Sequence, residues 1–586
     1  MVHAPVPEPQ GPAWAASRPS QQPSKWWLAV PFALFALLVA WKLTFLKGMT
    51  IGFTTYDEIV YFKEATALAS GHMYRGVEYP WLYAISLLPA FLFHDPHRAA
   101  IALSAVYSST LVFPVWLIAR EMLGLRHAAV VTALTCLLPY HYVVGRTLLS
   151  EQLYYPMLVL AVYLVVTGRW RWSPLSRDLL TGALIGALYA TRYLTVPMIP
   201  ALVFGWWLRE RAASGRWLPS RRALGRLALA TLAGLAVFLP WVLAAVRAHA
   251  PWKATLGLEV ARSKLPPTVR PTLGGFLVYG GLYLAAWSLA LAPLLGMLGF
   301  ANIRALQRGG KDGLDRLTLT MSALALGLLV ILTRHSWLAT YNYPEPLRIM
   351  VRYAIYIVGL GVIVGYAAAA TSVKSRPLPA WATWLVGFVL PMIAVAASWW
   401  GQVGSQFLPN SLAAIDGGAG DVYRIMVIGP WLWPAVAAAL ALTTWLLVRR
   451  DARLVAGLVL GAVVFYSLGI TAYGRLLERS HDFEMIAYRL AAVDKAQPAA
   501  PGDYLRVAAS PAAIKLSGLT FRAFTKNLEW NIQYFRGGAH LLTPGETDPP
   551  DYVIEAARSY SGPGTRVTIG DRTYVIVRGP GAAPAP

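Results

Sequence analysis

The stretch "LAVPFALFALLVAWKLTFLKGMTIGFTTYDEIVYFK" (28–63) joins a long apolar run to a loop that opens with two adjacent carboxylates, Asp57 and Glu58. A helix needs about 20 mostly apolar residues to cross about 30 Å of hydrocarbon, and the first part of this stretch has them. Runs of similar length recur along most of the 586 residues. The chain is 57% hydrophobic and only 13% charged, with a mean hydropathy of +0.50. An ordinary soluble domain carries roughly 25% charged residues. The runs do not show the residue-by-residue alternation of a membrane β-barrel. The sequence therefore predicts an all-α polytopic membrane protein.

Crossings are expected near 27–46, 100–118, 129–145, 152–167, 179–191, 194–208, 227–246, 276–300, 317–333, 353–371, 380–400, 428–448 and 454–471, about 13 helices. The loops 119–128, 168–178, 209–226, 301–316, 372–379 and 449–453 are short and together hold about 20 Lys and Arg. All fall on one side of this arrangement, which the positive-inside rule makes cytoplasmic. The formal charge of +23 is thus explained by loop position and does not imply a nucleic-acid partner. Residues 179–208 are broken by Arg192 between two basic flanks. Two short helices turning near "ATRYLT" keep both flanks inside and carry Arg192 to the outer side.

An odd number of crossings sends the C-terminus outside. Four regions are expected: a disordered cytoplasmic N-terminus over 1–24, a membrane domain over 25–471 whose large first outer loop covers 48–98, an extracytoplasmic domain over 472–578 and a flexible tail over 579–586. Residues 1–24 do not read as a cleavable leader, and the first run is long enough to remain as an anchor. In the outer domain, "YLRVAAS" (504–510), "DYVIEA" (551–556) and "RVTIGDRTYVIV" (566–577) have strand character, the last as a hairpin turning at Gly570-Asp571. "HDFEMIAYRLAAVDK" (481–495) reads as a helix, so a small α/β fold is expected. The one cysteine, Cys136, lies in an apolar run and forms no intramolecular disulfide.

The outer loops carry the unusual charge. Residues 80–93, "PWLYAISLLPAFLF", are too short and too broken by Pro to span, and are expected to lie at the outer interface. If 55–69 is a helix, Asp57, Tyr61 and Glu64 share one face and Glu58 points about 100° away. "GRTLLSEQLYYP" (145–156) adds Arg146 and Glu151, 247–270 adds Lys264, and 333–353 adds Arg348, Arg352 and Tyr353. Charge beside a bilayer tends to be functional, and Arg and Lys suit a lipid-linked phosphate. The plainer readings are a helix start for Asp57 and Glu58, where the dipole favours carboxylates, and an interfacial pair of Glu151 with Arg146. The residues alone leave a membrane enzyme or a transporter.

Tyr56-Asp57-Glu58 with Tyr61, then Gly71 and "EYPWLYAISLLPAFLF", resembles the lipid-phosphate-sugar-dependent glycosyltransferases of the GT-C superfamily. Relatives there include protein O-mannosyltransferases, the aminoarabinose transferase that modifies lipid A and actinobacterial arabinofuranosyltransferases. The likeness runs in motif order over 27–371, with Glu151 in "RTLLSEQL" and Arg352-Tyr353 as later matches. Trp81 stands where a second Pro is common, and Glu151 where Asp is frequent, so sugar and acceptor stay open.

The resemblance implies a polyprenyl-phosphate sugar donor, an extracytoplasmic glycan, lipid or protein acceptor, and a bacterial plasma-membrane location. It assigns Asp57 as general base, Glu58 as helper or orienting group, and Glu151 as orienting acceptor or sugar. Arg352, Arg348, Lys264 and Arg192 become phosphate-binding candidates, and Tyr61, Tyr79, Arg146 and Tyr353 substrate-binding ones. Transfer with inversion is expected. No cofactor is required by the sequence; some relatives use a divalent metal near the first-loop carboxylate, and no His/Asp constellation here demands one. A transporter or lipid flippase is the rival reading. It is disfavoured because no internal repeat with paired broken helices is evident. A non-catalytic assembly protein leaves the acidic loop unexplained.

Overall fold

The computed structural model describes residues 25–44, 56–72, 79–138, 141, 147–167, 173–247, 256, 273–339, 353, 355–371, 380–389 and 392, a few positions between 437 and 445, 482–496, and most of 504–581. The last two predicted crossings, 428–448 and 454–471, lie almost wholly outside these residues, as do most of 380–400 and the turn Gly570-Asp571.

Most of the described chain is helical. In order come α1 (Val30–Thr44), α2 (Tyr56–Ala69), α3 (Leu82–Ser86), α4 (Pro96–Ser109), α5 (Val112–Leu123), α6 (Leu125–Cys136), α7 (Glu151–Val166) and α8 (Pro174–Thr191). These are followed by α9 (Ile199–Ser214), α10 (Arg221–Arg247), α11 (Leu273–Arg308), α12 (Gly313–Ala339), α13 (Ile355–Thr371) and α14 (Ala380–Trp384). Four stretches among the described residues are long and apolar enough to cross a membrane: Trp26–Thr44, Pro96–Leu123, Arg221–Arg247 and Gly313–His335. Shorter apolar helices such as Glu151–Val166 pack among them. The protein is a multi-pass membrane protein.

Three sequence expectations are refined. The crossing near 100–118 starts earlier, at Pro96, where Asp95 caps the first turn by accepting from the Arg98 amide at 3.0 Å. The "PWLYAISLLPAFLF" segment forms α3 and a 3-10 turn over Leu88–Leu92, buried on one side but with Leu92 and Phe93 exposed. The chain over 174–214 is two helices, as expected, broken at Arg192 and a 3-10 turn over Tyr193–Met198. Arg192, however, is only 8% exposed.

The helix α7 marks two charged layers. Its first residue, Glu151, meets Arg192. At its other end the Leu164 carbonyl accepts from Arg209 at 2.7 Å and the Val166 carbonyl from Arg316 at 2.9 Å. The last carbonyls of a helix have no partners within it, and cations beside them are doubly favoured by hydrogen bonding and by the helix dipole. Between these layers α7 is buried almost all round. Its neighbour α8 packs against α10 through small residues. A Cβ on Gly182 would sit 1.8 Å from the Ala230 carbonyl oxygen, and one on Gly186 would sit 2.2 Å from that of Gly234. In a membrane such close backbone approach supplies the dispersion contact that drives helix association.

Near the C-terminus a helix over 482–496, α15, precedes a five-stranded sheet. Its strands are β1 (Tyr504–Ala509), β2 (Gly538–Leu541), β3 (Tyr552–Ala556), β4 (Thr565–Ile569) and β5 (Arg572–Arg578), in the order β2-β1-β3-β5-β4. β1 runs parallel to β2 and β3, while β4 and β5 form the expected antiparallel hairpin, with Ile569 opposite Arg572. β2 and the helix α16 (Pro511–Ser517) were not legible in the sequence. β2 has four residues, among them Gly538 and a His540 that pairs with Glu546, too short for a clear alternation.

Candidate active site

The loop between α1 and α4 folds onto the break after α8. α2 begins at Tyr56 and ends at a turn where Gly71 adopts a φ of 75°, a conformation that costs a residue with a Cβ. The helix buries Tyr61 fully, and with it Ile59, Phe62 and Ala65 against Tyr83, Leu87 and Leu148. The i, i+4 relation holds as expected: Asp57 and Tyr61 both meet Tyr79. Tyr79 donates its hydroxyl to the Asp57 carboxylate at 2.9 Å, and its ring packs 5.1 Å from that of Tyr61. Glu58 points elsewhere. It is 2% exposed, and its Oε2 accepts from the Leu148 amide at 3.0 Å, which ties α2 to the segment leading into α7.

From Tyr61 the network continues inward. Its hydroxyl shares a 2.8 Å hydrogen bond with the Ser150 hydroxyl, and Ser150 also accepts from Arg192 Nη1 at 3.0 Å. The same guanidinium is ion-paired with Glu151 and donates through Nη2 to the Tyr353 hydroxyl at 2.9 Å. Tyr356 stacks behind Tyr353 at 5.9 Å and meets Tyr154 edge to face. The first-loop carboxylate and a buried guanidinium are therefore linked through Tyr79, Tyr61 and Ser150. Burial raises the Tyr79 and Tyr61 phenols above the usual tyrosine range. The Asp57 charge adds to this in both, and Arg192 opposes it. Both stay protonated at neutral pH, so Tyr79 is a permanent donor to Asp57.

Of the sequence candidates, the structure brings Asp57, Tyr61, Tyr79, Glu151, Arg192 and Tyr353 into one network, with Glu58 beside it. Arg146, Lys264, Arg348 and Arg352 lie outside the described residues. Glu151 pairs with Arg192; the pairing with Arg146 that the sequence also offered lies outside the described residues. Ser150, the junction of the network, was missed because a serine before a helix reads as an ordinary cap. Tyr356 was missed for lack of any motif. Lys42 was also passed over inside the first apolar run. It is buried, and its ammonium donates to Ser108 at 2.6 Å and Ser109 at 3.1 Å, with His141 Nδ1 at 3.2 Å. No group of three or more His, Cys, Asp or Glu placed to hold a metal occurs among the described residues.

Residues 76–243 match the family described as dolichyl-phosphate-mannose-protein mannosyltransferase. A comparison with curated proteins gave no match. Among solved structures, ArnT from Cupriavidus metallidurans bound to undecaprenyl phosphate is similar at 15% identity, covering 96% of this chain and 100% of that one, with a TM-score of 0.48. The Archaeoglobus fulgidus oligosaccharyltransferase in its apo form is similar at 11% identity over 89% of this chain and 65% of that one, with a TM-score of 0.44. The family match begins after Asp57 and takes in Tyr79, Ser150, Glu151 and Arg192. Residues 76–243 carry the sequence pattern of that mannosyltransferase family, and with it the likeness to GT-C glycosyltransferases that the motifs of the first outer loop indicate.

Proposed function

We propose that this protein transfers a sugar from a polyprenyl monophosphate to an acceptor hydroxyl at the outer face of a bacterial plasma membrane. Thirteen crossings, a cytoplasmic N-terminus and an extracytoplasmic sheet domain complete this reading. The observation that carries it is the linkage of Asp57 and Arg192 through one aromatic pair. Tyr79 holds the carboxylate at 2.9 Å, and Tyr61 reaches the guanidinium through Ser150.

Asp57 accepts the proton of the acceptor hydroxyl as that oxygen attacks the anomeric carbon. The bond from this carbon to the phosphate oxygen breaks, its electron pair leaves with the phosphate, and polyprenyl phosphate departs. A single displacement inverts the anomeric centre. Arg192 stabilises charge gathering on the leaving phosphate, held at the ready by Glu151, Ser150 and Tyr353 so that little reorganisation is needed. Glu151 acts on substrate through this arginine. Glu58, tied to the Leu148 amide, orients the helix that presents Asp57. Arg352, Arg348 and Lys264 remain further phosphate ligands in this proposal, and Arg146 a substrate contact. The acceptor is a cell-wall glycan, a lipid or a protein.

The test is transfer by the purified full-length protein from a panel of radiolabelled polyprenyl-phosphate sugars, with and without chelator. Asp57→Asn, confirmed as folded, should lower turnover by about 100- to 10,000-fold. Near-normal turnover in that variant removes Asp57 as the base, and no transfer from any donor removes the reading.

A further inference from the structure

The helices α8, α9 and α10 leave an apolar groove of about 350 Å³. Ile185, Leu202, Val203, Leu227, Thr231 and Leu235 contribute to its walls. Gly182, Gly186 and Gly234 also line it, where α8 and α10 meet backbone to backbone. It runs along α8 from Asp178 to Tyr189, and eleven helical steps of about 1.5 Å measure about 16 Å. That is about half of a 30 Å hydrocarbon core, the depth of one leaflet.

The two ends differ. At Tyr189 the groove meets a packed aromatic cluster. Tyr189 and Phe238 lie 4.1 Å apart edge to face, and Trp241 beyond them packs on Trp81 at 5.8 Å. These rings stand between the groove and the Asp57 network. At the Asp178 end three arginines surround two carboxylates. Arg209 and Arg226 contact Asp178 at 2.6 and 2.8 Å, Arg226 also contacts Glu210 at 2.6 Å, and Arg177 lies 3.9 Å from Asp178. The cluster keeps a positive excess, and the exposed Arg221 and Arg222 stand one turn before Arg226. Arg177 is 7% exposed, and its Nε has no hydrogen-bond partner. A buried guanidinium N–H without an acceptor is costly, and an anionic oxygen relieves that cost.

We propose that this groove binds an anionic phospholipid from the leaflet on the side of the basic loops. One acyl chain lies between Val203 and Thr231, and the phosphate sits beside Arg226 and Arg177. The chain gains dispersion contacts that an empty groove forfeits. The headgroup adds charge without breaking the arginine–carboxylate pairs. The site is separate from the reacting centre and stands or falls independently of the proposed transfer.

The full-length protein, stripped of lipid in detergent, is offered palmitoyl-oleoyl phosphatidylglycerol and phosphatidylcholine at equal mole fraction, and retained lipid is counted by native mass spectrometry. The wild type should retain phosphatidylglycerol about fivefold over phosphatidylcholine, the selectivity of about one additional cationic contact. Thr231→Trp, which fills the groove from an exposed position, should lose retained lipid of either kind. Arg226→Gln should keep a lipid but lose the preference, and raised salt should narrow the wild-type preference in the same direction. Equal retention of the two lipids by the wild type, or undiminished retention by Thr231→Trp, overturns the proposal. A preference insensitive to both Arg226→Gln and salt overturns the headgroup assignment.

Discussion

The ion pair between Arg192 and Glu151 can be weighed with a double-mutant cycle. Both side chains are almost wholly out of water, Glu151 at 1% and Arg192 at 9% exposure. Removing one partner of such a pair strands the other charge and costs about 3–5 kcal/mol. Arg192→Met is the harsher single change, because Glu151 loses its cation and Ser150 and Tyr353 lose a donor. Glu151→Gln is milder, about 1–3 kcal/mol, since Arg192 keeps both hydroxyl partners. In the double variant no buried charge remains, so its cost should fall short of the sum of the singles by about 2–3 kcal/mol. Unfolding of the purified protein in mixed micelles, titrated with a denaturing detergent, reads these differences. Additivity within about 0.5 kcal/mol would refute the claim that the two groups compensate each other in the native state.

Other outcomes follow from the same geometry. Tyr79→Phe deletes the donor to Asp57, a charge-assisted bond of about 1.5–3 kcal/mol, and should lower kcat/KM for transfer by about 10- to 100-fold while the protein stays folded; an unchanged value would separate Tyr79 from the reaction. Gly182→Val places a side chain against the Ala230 backbone and should destabilise the α8–α10 contact by at least about 1–3 kcal/mol, seen as a lower unfolding midpoint. In the sheet domain, burial chiefly, with the Asp494 charge, pushes the Tyr552 phenol up to about 12. A phenol raised in the folded state stabilises fully below its unfolded value near 10 and loses that contribution as pH rises through the folded value. Stability of the full-length protein should therefore fall between about pH 10 and 12 by a component that Tyr552→Phe removes.

Much of the site was legible before the structure, because its signals are local. The i, i+4 spacing put Asp57 and Tyr61 on one face of α2 and sent Glu58 another way, and the hydrogen bonds at 2.9 Å from Tyr79 and 3.0 Å from Leu148 follow that division. Arg192 was legible as a break, since a charge between two basic flanks cannot continue an apolar helix. What Arg192 does there was not legible. Its partners Glu151 and Tyr353 lie 41 and 161 residues away, and no periodicity encodes a contact across such separations.

The sequence by itself determined the solvent. Its apolar runs made this a multi-pass helical membrane protein, because burying backbone in hydrocarbon leaves helices as the economical solution for such runs. It also fixed which helix presents the first-loop carboxylate. The tertiary structure decided which charges meet. Desolvation makes an unpaired buried charge costly, so Arg192 settles where Glu151, Ser150 and Tyr353 converge, and that convergence depends on how α7, α8 and α13 pack. The groove beside α8 has the same origin, since its walls come from three separate helices, α8, α9 and α10, that only the packing brings together.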